Sequence, residues 1–164
     1  MSARQTIVGC LMLLSSMGAT PAHAHADEPL LLKATVTTHT NDDDKDHDTC
    51  VFVDVKNASG DSIIAHAENH ECSSDDSKQY KDGSDHTFDL SVDGVGMAKS
   101  AARGFTVHMW QETHGGRGHD TWKFNVTVTL TFSDRTTLIA QLPNVTFSSS
   151  GTDQRPAIDL RNGQ

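Results

Sequence analysis

The most conspicuous chemical feature of the sequence is a run of carboxylates, with five aspartates within seven consecutive positions of the segment 41–49. Carboxylates at this density repel one another unless they are hydrated or share a cation, and Ca²⁺ suits them because it takes about six to eight oxygen ligands. We therefore predict a Ca²⁺ site, completed by an aspartate from a later loop, with the ligands Asp42, Asp43, Asp44, Asp46, Asp48 and Asp120. The intervening loop offers further candidate oxygen donors in Asp75, Asp76, Asp82 and Asp85. The alternative is a hydrated acidic loop that protects an edge strand from aggregation.

Histidines form the second candidate for a metal site. On a β-strand, His108, Trp110 and Glu112 project to one face, and His114 extends the same alternation. Imidazoles and a carboxylate on one face suit Zn²⁺ or Cu²⁺. The alternative is a polar outer face around a packed tryptophan.

Motifs that would announce a reaction are missing from the sequence. It has no Gly-x-Ser-x-Gly elbow and no His-Glu-x-x-His pair, and no serine, histidine or carboxylate stands in a recognisable catalytic spacing. We therefore expect binding rather than catalysis, and assign no catalytic residue.

The first 26 residues have the organisation of a secretory signal peptide. Arg4 precedes an apolar run over 7–17, and small residues follow with two overlapping cleavage signals, Ala22-His23-Ala24 and Ala24-His25-Ala26. The apolar run is too short to cross a bilayer, and no later segment is apolar enough. The sequence predicts a secreted or periplasmic protein, cleaved after Ala24 or Ala26, with no transmembrane segment in the mature chain.

Charge and cysteine content narrow the class of protein further. The chain has 13 Lys and Arg against 22 Asp and Glu, a net charge of −9, which argues against nucleic-acid binding because phosphate backbones need clustered cations. Cys10 belongs to the predicted signal peptide, which leaves Cys50 and Cys72. Two cysteines in an oxidising compartment usually pair, so we predict one disulfide between them.

The elements that must position these groups are short strands. Apolar and polar residues alternate with a period of two, which is typical of half-buried antiparallel strands, over 32–37, 51–56, 62–66, 88–93, 105–110, 122–132 and 138–147. The longest run predicts an inward row in a central strand: Trp122, Phe124, Val126, Val128, Leu130 and Phe132. Helical character is confined to 96–103. We predict an all-β antiparallel β-sandwich of about seven to eight strands with one disulfide over 27–147, followed by a polar tail over 148–164.

Strand direction predicts where the loops meet. If consecutive strands alternate in direction, the loops 41–49, 67–85 and 112–121 share one edge of the sandwich. The predicted disulfide joins the first two of these loops. The acidic segment and its proposed partner Asp120 therefore lie at the same edge.

An opening strand that leads into the acidic loop 38–49, and the later entry Gly118-His119-Asp120-Thr121-Trp122-Lys123-Phe124 into a long alternating strand, resemble the PLAT-type β-sandwiches and their calcium-dependent relatives. The resemblance implies an eight-stranded sandwich with loop-bound Ca²⁺ and a binding role toward a lipid or protein surface.

Together these features predict an exported, non-catalytic binding module for Ca²⁺ and a protein, glycan or lipid surface. A second hypothesis starts from cleavage after Ala24, which makes His25 the N-terminus. Its α-amino group and imidazole, joined by His108 or His114, then resemble the copper brace of secreted polysaccharide monooxygenases and copper carriers. A third hypothesis is an inhibitor of a secreted hydrolase.

Overall fold

A computed structural model describes residues 27–70, 72, 78–113, 121–148 and 157–162. The predicted signal peptide lies outside these ranges. The described part of the chain contains eight strands and one short helix: β1 (Leu31–Asp42), β2 (Thr49–Lys56), β3 (Ile63–His70), β4 (Asp85–Val92), α1 (Lys99–Ala102), β5 (Thr106–Thr113), β6 (Thr121–Phe132), β7 (Thr137–Ser148) and β8 (Ala157–Arg161).

The strands form one antiparallel sheet in the order β7-β6-β1-β4-β3-β2-β5-β8. The all-β antiparallel prediction is confirmed, but the sheet is barrel-like rather than a two-layer sandwich. Its two halves are hydrogen-bonded to each other at one narrow joint, where Ala65 and His66 of β3 pair with Val92 and Ser91 of β4. At the far ends of the order, β7 and β8 come together, and Asn162 Nδ2 donates to the Ile139 carbonyl. Alternation predicts strands and their faces, but not which strands become neighbours.

Strand β6 supplies the central row of the core. All of its predicted inward side chains are at most 1% exposed, whereas the threonines between them are half-buried. β6 is hydrogen-bonded to β1 on one side and β7 on the other, so a period-two sequence aligns its whole apolar set against both neighbours. The prediction for this strand is confirmed residue by residue.

Two later elements depart from simple alternation. β7 bulges at Pro143 and Asn144: Phe124 pairs with Val145 and Val126 with Leu142, and Asn144 adopts φ 55°. Proline cannot donate to the ladder, which accounts for a bulge at Pro143. The predicted polar tail 148–164 needs correction, since its residues Ala157–Arg161 form β8 against β5. The five residues of β8 are too few for their alternation to predict a strand, and only the pairing with β5 shows that they form one.

The predicted disulfide is present between Cys50 and Cys72, with the two Cα atoms 4.6 Å apart. Cys50 is the second residue of β2 and Cys72 follows the end of β3, so the bond fastens the β3–β4 connection to the start of β2. Among the residues that the structure describes, no helix is long and apolar enough to cross a bilayer.

Candidate acidic-edge site

The acidic segment leaves β1 at Asp42 and re-enters the sheet at Thr49, the first residue of β2. It is not a free loop. Lys45 and Tyr80 form an isolated antiparallel bridge, in which each backbone N–H donates to the other residue's carbonyl at 3.0–3.1 Å. This bridge and the nearby disulfide join the β1–β2 and β3–β4 connections, as the strand directions predict.

Lys45, the cation within the acidic run, is fully buried. Its ammonium Nζ donates to the backbone carbonyls of Thr49 at 2.8 Å and Asp46 at 3.0 Å. It also lies 4.7 Å from the centroid of the Tyr80 ring, within the range of a cation–π contact. A buried ammonium is costly unless it is hydrogen-bonded, and here the loop folds its own carbonyls around the charge. The loop is therefore organised by an internal cation.

A second lysine neutralises the start of the loop. Lys123 of β6 places its Nζ 2.6 Å from an Asp43 carboxylate oxygen and 3.1 Å from one of Asp42. The hydrogen bonds to Asp43 and then Asp42 raise the pKa of Lys123 above its ordinary value. Asp43 has φ 58°, which turns the chain out of β1 toward this lysine. The side chains of Lys123, Asp42 and Asp43 are all 41–67% exposed, so the two ion pairs position the loop more than they stabilise it.

The remaining negative charge collects at Asp44 and Asp82. One Asp44 oxygen accepts the backbone N–H of Asp82 at 2.7 Å, and the other accepts from Gln79 Nε2 at 3.2 Å. Desolvation is the largest cause that raises the pKa of the Asp82 carboxyl, followed by its hydrogen bond to Asp44 and the charges of Asp44, Asp42 and Asp43. We call Asp42, Asp43, Asp44 and Asp82 the acidic edge. It carries more negative charge than the adjacent lysine offsets.

The end of the barrel interior beneath the acidic edge is polar. Its fully buried polar residues are Thr38, Thr40, Lys45, Thr49 and Gln111. Trp122 Nε1 donates to Thr40 Oγ1 at 3.1 Å. The side-chain amide of Gln111 and the hydroxyl of Thr38 make no hydrogen bond within the described part of the chain. Unsatisfied buried polar groups are rare in folded proteins, so this end is less optimised for stability than the apolar remainder of the core.

The predicted calcium ligands are only partly brought together. Asp42, Asp43 and Asp44 meet Asp82, one of the carboxylates of the 67–85 loop that the sequence offers as a further oxygen donor. Asp46 and Asp48 are half-buried elsewhere along the loop, and Asp120 lies outside the described residues. Over the described ranges no group of three histidine, cysteine, aspartate or glutamate side chains is placed to hold a metal ion.

The predicted metal face on β5 is occupied by local hydrogen bonds. His108 Nδ1 lies 2.8 Å from Asp159 of β8, and Trp110 Nε1 donates to Glu112 at 3.1 Å. These side chains do share the outer face, opposite buried Val107 and Met109. His114 lies outside the described residues. Zinc or copper at this face stays a prediction.

Sequence reasoning missed the residues that organise the site. Lys45 stands among aspartates, so its hydrophilic neighbours predict an exposed side chain. Tyr80 stacks on His86 with ring centroids 3.5 Å apart and meets Trp122 edge-on, yet it comes from a polar segment. The signal available for both is that each is isolated: a single cation within an anionic run and a single aromatic residue within a polar one.

The raised pKa of Asp82 predicts a pH-dependent gain from removing its charge. Because the folded state disfavours the Asp82 carboxylate, this group lowers stability at neutral pH. The penalty fades as the pH falls through the raised pKa of the folded state, and it is gone below the ordinary value of 3.8, where the group is protonated in both states. Asp82→Asn should therefore raise the melting temperature at pH 7 and have no effect at pH 3.

Asp27→Asn is the matched control, because it makes the same change of net charge at an exposed residue away from the loop. Equal gains from the two variants in a melting series over pH 3–7 would show that the acidic edge adds nothing beyond net charge.

In comparisons with known proteins, no family model, no curated protein and no solved structure matches this chain.

Proposed function

We propose that the chain is an exported, non-catalytic binding module that holds Ca²⁺ at the acidic edge. The observation that carries the proposal is the meeting of Asp44 and Asp82, in which an Asp44 oxygen accepts the Asp82 backbone N–H at 2.7 Å beside Asp42 and Asp43. The raised pKa of Asp82, caused in part by the charges of these three aspartates, agrees with this placement. These carboxylates concentrate negative charge that Lys123 offsets only on one side. A hard divalent cation with oxygen ligands is the species that relieves such a charge.

Two further features support a binding role at this end. The barrel end below the loop is lined by fully buried polar side chains, among them the Gln111 amide, which has no partner within the described part of the chain. The loop backbone is held by Lys45 and by the bridge to Tyr80, so the carboxylates project from fixed backbone positions. Rigid backbone with adjustable carboxylates lowers the ordering cost of ion binding. Export is supported by the disulfide, which oxidising compartments favour.

Calcium binding is tested by thermal melting in chelator, followed by addition of Ca²⁺. We expect the melting temperature to rise with free Ca²⁺, corresponding to about 2.7 kcal/mol of added stability at a hundred times the dissociation constant. The double variant Asp44→Asn and Asp82→Asn should lose most of this rise, whereas Asp27→Asn should keep it. Mg²⁺ at the same ionic strength should stabilise less, because it demands tighter octahedral geometry.

A wild-type melt that millimolar Ca²⁺ moves no further than matched salt would contradict the calcium proposal. A calcium response that survives in the double variant would place the ion elsewhere. The copper-brace and inhibitor hypotheses and the PLAT-type resemblance stay predictions, and N-terminal sequencing of the exported protein decides whether His25 begins the chain.

A further inference from the structure

A cavity of about 430 Å³ opens on the outer face of the barrel at the end of β2 away from the acidic edge. The β2–β3 turn forms one wall through Ser59 and Gly60, and the strands β2, β5 and β8 form the floor. Its volume falls in the range of small-molecule sites, about 300–1,000 Å³. The eight residues of β2 separate it from the acidic edge by roughly 23 Å, so the two sites are independent.

The cavity is lined by two cations in a strongly acidic protein. Lys56 and Arg161 both face it, and neither makes an ion pair with any residue that the structure describes. By contrast, Lys33 and Lys123 on the sheet surface pair with aspartates. The nearby carboxylate of Asp61 accepts hydrogen bonds from Asn57 and Ser59 inside the turn, which lowers its pKa. The Asp61 carboxylate is therefore occupied by hydrogen bonds within the turn, and Lys56 and Arg161 stay available to a ligand.

Strand register places the cations on either side of a hydroxyl. Lys56 pairs with Thr106 across β2 and β5, and Thr106 pairs with Arg161 across β5 and β8. The three side chains thus form one lateral row on the outer face. An ammonium, a hydroxyl and a guanidinium in a row suit a carboxylate, because guanidinium and carboxylate match as a bidentate pair.

The next lateral row carries groups that bind hydroxyls. His108 pairs with Asp159 across β5 and β8, and the two side chains hydrogen-bond at 2.8 Å. Both line the cavity, and the Asp159 side chain is 83% exposed. Its carboxylate can accept from a ligand hydroxyl while it holds the imidazole, and it disfavours a ligand that is only an anion.

An aromatic pair adjoins this row. Trp110 is half-buried beside His108, with ring centroids 5.1 Å apart, and its indole stacks on Phe52 of β2. Across β8 it faces the short side chain of Ala157. An indole next to hydroxyl-binding groups suits the apolar face of a sugar ring, since aromatic rings contribute contact area with little loss of conformational freedom.

We propose that this cavity binds a small acidic sugar, whose carboxylate lies between Lys56 and Arg161 and whose hydroxyls reach Asp159 and His108. The proposal concerns a site separate from the acidic edge and does not depend on Ca²⁺. It assigns the module a small-molecule or glycan-terminal ligand of the uronic acid class.

Isothermal titration of the full exported protein with glucuronate, glucose and sulfate tests the proposal. Glucuronate should bind saturably, whereas glucose and sulfate should bind at least tenfold more weakly. Lys56→Met and Arg161→Met should each weaken glucuronate about tenfold, because each removes a charge-assisted contact. Lys33→Met is the matched control, since it removes an exposed cation outside the cavity. A melting curve for each variant confirms that it is folded.

Asp159→Asn separates a sugar site from a simple anion site. It should weaken glucuronate but leave sulfate unchanged or strengthen it, because the amide keeps no charge to repel an anion. No saturable glucuronate binding, glucose binding as tightly as glucuronate, or sulfate binding as tightly as glucuronate would each overturn the proposal. An equal loss in Lys33→Met would also overturn it. Titrations in chelator and in Ca²⁺ should agree, so failure here leaves the calcium proposal untouched.

Discussion

Val128→Asp should lower the free energy of unfolding by about 4 kcal/mol or more, enough to unfold much of the protein at 37 °C. Val128 is fully buried in the middle of β6, where it pairs with Val36 of β1 and Ala140 of β7. A carboxylate at this position would be surrounded by apolar side chains with no partner for its charge. Protonation of the new aspartate would remove its charge but would still leave a buried polar group without a hydrogen-bond partner.

The neighbouring change Thr129→Asp is the matched control. Thr129 lies on the outer face of the same strand and is half-buried, so its aspartate keeps contact with water. We expect a loss below about 1 kcal/mol, the usual range for surface substitutions. Urea unfolding at pH 7 measures both variants. Equal losses would show that the two faces of β6 are assigned wrongly.

Lys45→Met should cost about 3 kcal/mol of unfolding free energy, although it removes a charge from the interior. Methionine keeps most of the length of the side chain but removes the ammonium that donates to the carbonyls of Asp46 and Thr49 and that lies over the Tyr80 ring. A hydrogen bond to a charged group is worth about 1.5–3 kcal/mol, and the variant loses both of the bonds that the ammonium makes. The acidic loop should then detach from the segment around Tyr80.

Lys33→Met is the control for Lys45→Met. Lys33 makes an exposed ion pair with Asp89, so its loss should cost less than about 1 kcal/mol. Hydrogen exchange at the amides of Lys45 and Tyr80, which close the isolated bridge, reports whether the loop has opened. If Lys45→Met is as stable as Lys33→Met and hydrogen exchange at the Lys45 and Tyr80 amides is unchanged, the buried ammonium is not what holds the loop.

Much of the local structure follows from the sequence alone because the period of two is a local property. In β6, twelve residues alternate without a break. A strand that buries only one face must turn its apolar side chains to that face, so the alternation fixes which residues point inward. The same reasoning places Val107 and Met109 inward and His108 and Trp110 outward on β5. The Cys50–Cys72 disulfide follows from cysteine number and predicted strand direction, and the structure contains it.

Long-range pairing decided the rest. The sheet is barrel-like because β7 and β8, at the far ends of the strand order, come together, and β8 exists as a strand because β5 offers it a hydrogen-bonding edge. Neither property is carried by the residues of a single segment. Lys45 is buried because Thr49 and Tyr80 surround it, and Lys56 meets Arg161 because two strands distant in sequence lie on either side of Thr106. Sequence determined which residues carry charge and which face each occupies, and the tertiary structure decided which charges meet, because burial and pairing energies depend on neighbours far along the chain.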